Sequence, residues 1–318
     1  MGDEDGLIDV HHHFLPAEYR SALVESGNRS PDGIPAMPAW SVEEAVRVLD
    51  YAGIEMAFVS ISSPGVLLEG FSEMELARLV NERSAELIST HPGRFGGFAT
   101  LPLPNVDASL IETERALGEL QLDGVVLLTH YGDTYLGDPA LDRIFDELNQ
   151  RGSVVFIHPT SPVCCAETSL GFPAPILEFM FDTTRAVTNL IYSGTIDRCP
   201  NIQWIVPHAG AALPALAARL AVMPMLTDRC QAREDFRWYL ERFHYDLAGP
   251  RTDESLSELL QVASPSRLLY GSDWPFTPER AVNTLVDAIH HITAIDRDDA
   301  GRVLRANAQQ ILPRARAR

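Results

Sequence analysis

Five residues of types that do chemistry stand where apolar runs end. His11 and His13 close the run that begins Leu7-Ile8-Asp9-Val10. Side chains alternate along an extended chain, so these two imidazoles share one side and His12 points away. His158 follows Val154-Val155-Phe156-Ile157, His208 follows Trp204-Ile205-Val206-Pro207, and Asp273 follows Leu268-Leu269-Tyr270-Gly271-Ser272. A lone His-x-His is half a metal site and weak evidence by itself. Three consecutive histidines also occur in purification tags, but a tag lies in a polar linker, not between Ile-Asp-Val and Phe-Leu-Pro. A single histidine such as His158 or His208 is more often a satisfied structural side chain. Four imidazoles and a carboxylate at one end of one scaffold are harder to explain as packing. Buried there, they need partners, and a divalent metal supplies one.

The scaffold that would gather them follows from alternating strand-like and helix-like segments. After the first strand, strand patterns fall at 56–60, 95–100, 124–128, 153–158, 203–207, 243–246 and 268–271. Helical patterns follow at 41–51, 72–90, 107–120, 139–150, 177–193, 214–223, 253–262 and 278–290. Ser41 with Glu43 and Glu44 reads as an N-cap with an acidic first turn, and Gly53 as the stop. The pattern predicts an α/β fold, a (β/α)₈ TIM barrel with long loops at 15–40 and 161–176 and a C-terminal helical extension. Active sites of such barrels lie at the carboxyl ends of the strands, where the five residues fall. We expect a single domain over 1–318, a frayed acidic lead-in, and a basic, disordered tail at 313–318.

Composition narrows the partners. With 318 residues and 46% hydrophobic content the chain can bury a large core. No apolar run is long enough for a transmembrane helix and no signal-peptide pattern opens the chain, so the expectation is a cytoplasmic protein. The net charge of −19 speaks against nucleic acid or an anionic membrane as the main partner. Cys164, Cys165, Cys199 and Cys230 have no C-x-x-C spacing, and adjacent Cys164 and Cys165 are expected as free thiols in a loop. All 25 basic residues are arginine, so no lysine can serve as Schiff base, nucleophile or bridging carbamate.

His11-x-His13, His158-Pro159, His208-Ala209-Gly210 and Tyr270-Gly271-Ser272-Asp273-Trp274-Pro275 together resemble the amidohydrolase superfamily. More narrowly, they are similar to its decarboxylase branch, which includes the aminocarboxymuconate semialdehyde, γ-resorcylate and 6-methylsalicylate decarboxylases. The stretch 133–139 and Phe181-Asp182-Thr183-Thr184-Arg185 look most like the 6-methylsalicylate type. The resemblance implies one divalent metal, zinc first and manganese second, held by His11, His13, His158 and Asp273. His208 would be an acid-base residue that does not ligate. Binuclear relatives use a carbamylated lysine after strand 4, where this chain reads Leu127-Leu128-Thr129-His130.

The function implied is metal-dependent, non-oxidative decarboxylation of a small aromatic carboxylic acid, an o-hydroxybenzoate such as 6-methylsalicylate. A proton goes to the carbon bearing the carboxylate and CO₂ leaves, with Asp273 the first choice for the proton and His208 its partner. The alternative is a hydrolase, a lactonase or amidase in which the same metal activates water. Arg47 and Arg219 occupy positions similar to carboxylate-binding arginines of the aminocarboxymuconate enzymes, where one such arginine crosses a dimer interface. A homodimer is therefore expected. Trp274 and Phe276 are placed to stack on an aromatic substrate, with plain packing the competing reading.

Overall fold

Strands and helices alternate around a ring. The strands are β1 (Leu7–His13), β2 (Ile54–Ser60), β3 (Phe95–Thr100), β4 (Gly124–Leu128), β5 (Val154–His158), β6 (Gln203–Val206), β7 (His244–Asp246) and β8 (Leu268–Leu269), each parallel to the next in that order. This computed structural model describes residues 6–316 apart from 228–229, 234 and 251. The lead-in at 1–5 therefore lies outside the described residues. Backbone bonds close the ring between its two ends: Val10 N–H donates to the Tyr270 carbonyl at 3.0 Å, Asp273 N–H to that of His11 at 2.8 Å and His13 N–H to that of Trp274 at 2.7 Å. Gly271 permits that closure, since a Cβ there would stand 2.8 Å from the His11 Cβ. The fold is the (β/α)₈ barrel that the alternation implies.

Cap chemistry reads correctly where it was strongest. Ser41 Oγ accepts from Glu44 N–H at 3.2 Å to open α2 (Val42–Ala52), and Gly53 closes it at φ 69°. The segment 15–40 departs from the expected loop, because a helix, α1 (Ala17–Glu25), occupies its first part and buries Tyr19, Ala22 and Leu23. Its sequence signal is faint: Pro16 stands at the start with no side-chain cap. Its buried face is fixed by tertiary partners such as the Gly65 carbonyl, to which the Tyr19 hydroxyl donates at 2.8 Å.

Inside the barrel, Ile8, Val10, Phe58, Phe98, Phe156 and Leu269 form a packed plug, and Leu312 and Ala315 join it from below. The disordered tail expected at 313–318 is thus corrected for its first four residues. Pro313–Arg316 is a helical turn whose Arg314 donates from Nε to Asp123 Oδ2 at 2.9 Å. The apolar Leu312 and Ala315 bury against the barrel base, which the basic composition of the tail concealed. Residues 317–318 lie outside the described residues. Among the described residues, no helix is long and apolar enough to cross a membrane.

Candidate metal centre and cavity

β1 presents two imidazoles inward because its register shifts between Asp9 and His12. Val10 belongs to the barrel interior and the His11 ring packs on Phe156 of the same interior, 4.8 Å between centroids. Strict alternation along all of β1 therefore fails at 10–11, and the bulge re-aims the strand's end. Asp9 supports this turn from behind, accepting from His11 N–H at 3.1 Å and Ser272 N–H at 3.0 Å, while its other oxygen takes the His12 ring at 2.9 Å.

Each inward ring is fixed through its Nδ1. His11 Nδ1 faces Asp246 Oδ2 at 3.0 Å, His13 Nδ1 the Ser60 carbonyl at 3.2 Å, and His158 Nδ1 the Pro159 carbonyl at 2.7 Å. Carbonyls and carboxylates only accept, so each Nδ1 carries the proton and each Nε2 is the nitrogen free to donate a lone pair. The Nε2 atoms of His11 and His13 lie 3.0 Å apart, and Asp273 Oδ1 is 3.4 Å from the first and 3.2 Å from the second. Ligand atoms of His11, His13, His158 and Asp273 all lie within 4.8 Å of one another. Three imidazole nitrogens and one carboxylate oxygen converging on one point suit a divalent cation.

Electrostatics lead to the same place. Burial by itself would lower the His11 pKa, but the Asp246 and Asp273 carboxylates outweigh it and push the ring up to about 10. Burial holds His13 below its ordinary value and, with His13 and His11 beside it, holds His158 well below. Asp273, which burial would raise, is held well below the usual carboxylate range by the charged His11 ring and by the His13 and His208 rings that face it. The cluster thus keeps one proton on His11 among two carboxylates and two neutral imidazoles, an arrangement in which a metal ion can replace that proton.

His208 is different. Its backbone N–H donates to Asp246 Oδ1 at 3.0 Å and its Nε2 stands 3.8 Å from Asp273 Oδ2, while its Nδ1 is buried with no partner. Both His208 and Asp273 sit at positive φ, 55° and 57°. Such backbone costs about 1–3 kcal/mol per residue, and it persists here at the two side chains that face each other.

Above them lies a cavity of about 600 Å³, floored by His158, His208 and Asp273. The loops at 15–40 and 161–176 wall it with Ile34, Pro38, Pro173 and Ile176, and Phe179, Met180 and Phe276 complete an apolar lining. That volume suits one small ring compound. Among the described residues no arginine lines it.

The three substrate-binding residues expected from sequence stand elsewhere. Arg47 is on the outer surface, its guanidinium forked onto Glu279 at 2.6 and 2.7 Å, which ties α2 to the helix Glu279–His291. Arg219 is exposed on the helix Leu213–Leu220 and does not line the cavity of its own chain. Trp274 is buried and stacks on His12, 5.0 Å between centroids, because the ring turns to the side of β1 that His12 takes. Phe276 instead faces the cavity, edge-on to His13 at 5.4 Å.

Sequence reading missed Asp246, which binds both His11 and the His208 backbone. Its signal was a carboxylate closing the apolar Phe243-His244-Tyr245 run, the same pattern that singled out Asp273. His130 does not line the cavity; its ring nitrogens face the Gly132 carbonyl at 2.9 Å and the Ser161 carbonyl at 3.1 Å and so anchor the loop after β5. Asp182 is fully buried and accepts from the Tyr135 hydroxyl at 2.5 Å and from Thr129, joining the end of β4 to the helix Glu178–Tyr192.

Comparison with known proteins completes the description. A family model described as Amidohydrolase matches residues 8–314. The 6-methylsalicylic acid decarboxylase of Penicillium expansum is 35% identical over 282 residues, which cover 86% of each chain. A solved amidohydrolase II superposes with a TM-score of 0.90 at 29% identity, covering 96% of this chain and 99% of that one. The 5-carboxyvanillate decarboxylase of Novosphingobium aromaticivorans, solved with manganese and 4-hydroxy-3-methoxy-5-nitrobenzoic acid, superposes with a TM-score of 0.86 over 97% of this chain and 96% of that one; at 22% identity this likeness carries the fold alone. With the family pattern running from β1 to the turn that seals the barrel base, the chain belongs to the amidohydrolase family.

Proposed function

We propose that the protein is a metal-dependent, non-oxidative decarboxylase of a small aromatic carboxylic acid of the o-hydroxybenzoate or 6-methylsalicylate kind. The observation that carries this reading is the uncommitted His208 beside Asp273 on the floor of an apolar cavity that contains no arginine among its described lining residues. Among the described lining residues no side-chain cation stands to meet the carboxylate of an acid entering there. The compensating charge is a divalent metal held by His11, His13, His158 and Asp273, with zinc favoured by three imidazoles and a carboxylate, and manganese the alternative carried by the 5-carboxyvanillate enzyme. When bound, that ion supplies a Lewis acid for the substrate's carboxylate and phenolic oxygens.

The chain's own groups do the proton chemistry. Asp273, an anion at rest, takes a proton relayed through His208 and delivers it to the ring carbon that bears the carboxylate. The carbon–carboxylate bond then breaks, CO₂ leaves, and the electron pair it leaves behind restores the aromatic ring. Phe276 and Phe179 hold the ring plane and keep the cavity dry. We further propose a homodimer, since exposed Leu170, Phe172 and Ile176 beside the cavity mouth offer apolar surface for a second copy. A cytoplasmic setting accords with four free cysteines.

The deciding assay offers a panel of hydroxybenzoates and lactones to the enzyme and reads the products by mass spectrometry. A product lighter by one CO₂ is expected. A product heavier by one water would replace this reading with the hydrolase.

Metal binding has a pH signature that follows from His11. Its metal-free ring is protonated below about 10, whereas His13 and His158 are already neutral at pH 7. A metal must therefore displace about one proton, and affinity should rise about tenfold per pH unit between about pH 7 and 9. Calorimetry in buffers of different ionisation enthalpy measures the released proton. Affinity independent of pH over that window would show that His11 does not hold the proton.

A further inference from the structure

At the end of the barrel opposite the histidines, a second cavity of about 110 Å³ opens between the amino ends of three adjacent strands. Gln203 and Trp204 begin β6, Phe243 precedes β7, and Arg267 immediately precedes β8; with Arg242 they line this cavity. Two guanidinium groups thus share one small concavity. Many arginines of this acidic chain hold carboxylates, as Arg47, Arg83, Arg115, Arg305 and Arg314 do. Among the described residues, neither Arg242 nor Arg267 has a carboxylate within ion-pair distance.

What they do touch leaves their donors available. Arg267 donates from Nη1 to His244 Nε2 at 3.0 Å, and that imidazole is neutral, pushed down to about 3 by burial and by Arg267 itself. Arg242 places its guanidinium carbon over the Trp238 ring, 4.5 Å from the centroid, a contact that takes no hydrogen-bond acceptor. Burial and the neighbouring Arg242 also push the Arg267 guanidinium below its ordinary value, the mark of a cation short of a counter-ion. Trp204, 3% exposed, lines the same cavity beside them.

We propose that this cavity binds a small oxyanion of the phosphate class, held by the guanidinium groups of Arg242 and Arg267. Guanidinium forks match phosphate oxygens two at a time, and the volume admits a free phosphate or the terminal phosphoryl group of an ester but no nucleotide base. The site stands apart from the reaction. Its occupant ties together the amino ends of β6, β7 and β8, the strands whose other ends lead to His208, Asp246 and Asp273.

The test is thermal unfolding of the metal-loaded enzyme with inorganic phosphate, against chloride at equal ionic strength. Phosphate at about ten times its dissociation constant should raise Tm by about 2 °C. Arg242→Gln, at an exposed position, should keep the Tm of the parent in chloride and lose the phosphate shift; Arg267→Gln, which keeps a donor for His244 but removes the charge, should lose it as well. Glycerol 3-phosphate as a second probe separates the sources. An equal shift marks the terminal phosphoryl group of an ester as the ligand, and a shift with inorganic phosphate alone marks the free ion, either outcome supporting the site. No shift specific to phosphate overturns the proposal, as does a shift of full size in both variants, which would place the ion at the histidine cluster.

Discussion

His158→Ala is expected to emerge from purification without its metal and without activity, whereas His208→Ala keeps the metal and loses only turnover. The two residues look alike in sequence, each closing an apolar strand, but their rings are committed differently. His158 spends Nδ1 on the Pro159 carbonyl and turns Nε2 into the cluster with His11, His13 and Asp273. Removing it deletes one of four donors. His208 contributes no atom to that group, and its Nε2 is 3.8 Å from the Asp273 oxygen that does not face the two β1 rings. Losing a positioned general acid-base should cost roughly 10²- to 10⁴-fold in kcat. Elemental analysis beside steady-state rates reads both effects, with about one divalent metal per chain expected in the parent and in His208→Ala. A metal-free His208→Ala would make His208 a ligand and exchange the roles of the strands that carry the two histidines.

Asp246→Asn should weaken metal binding by roughly 10- to 100-fold although Asp246 is not among the proposed ligands. One oxygen orients His11 through Nδ1 at 3.0 Å, and the other accepts from the His208 and Ala248 backbone N–H groups at 3.0 Å each. An amide keeps the shape but loses the charge that raises His11, so the proton displaced by the metal should be held less tightly and the pH dependence of affinity should flatten. Competition with a chelator at several pH values measures both. Unchanged affinity and an unchanged slope would show that His11 is positioned by β1 alone.

Much of the site was legible because its ligand-type residues end strands. A parallel strand buried on both faces is a short apolar run, and a polar residue closing such a run has to lie at the barrel's mouth. His11, His13, His158, His208 and Asp273 were visible on that ground, and the capping residues Ser41 and Gly53 marked where the intervening helix begins and ends. Asp246 obeys the same rule, but its strand is only three residues long and offers little pattern to read. Arg47, Arg219 and Trp274 were assigned by position along the chain, and position does not determine where a long side chain goes. A carboxylate on the neighbouring helix captured Arg47, and the His12 ring captured Trp274.

Local sequence therefore determined the alternation of elements, the barrel and the end of it that carries chemistry, since hydrophobic period and caps act over a few residues. Only the tertiary structure decided that a bulge in β1 turns both His11 and His13 inward, that Asp246 reaches His11 across 235 positions of chain, and that His208 keeps a free nitrogen beside Asp273. The same holds for the paired arginines at the barrel base, 25 positions apart in the chain and brought to one cavity by the closure of β6, β7 and β8. Each of these depends on which strand neighbours which, and that is settled when the sheet closes on itself and the energy of burying its interior selects one register.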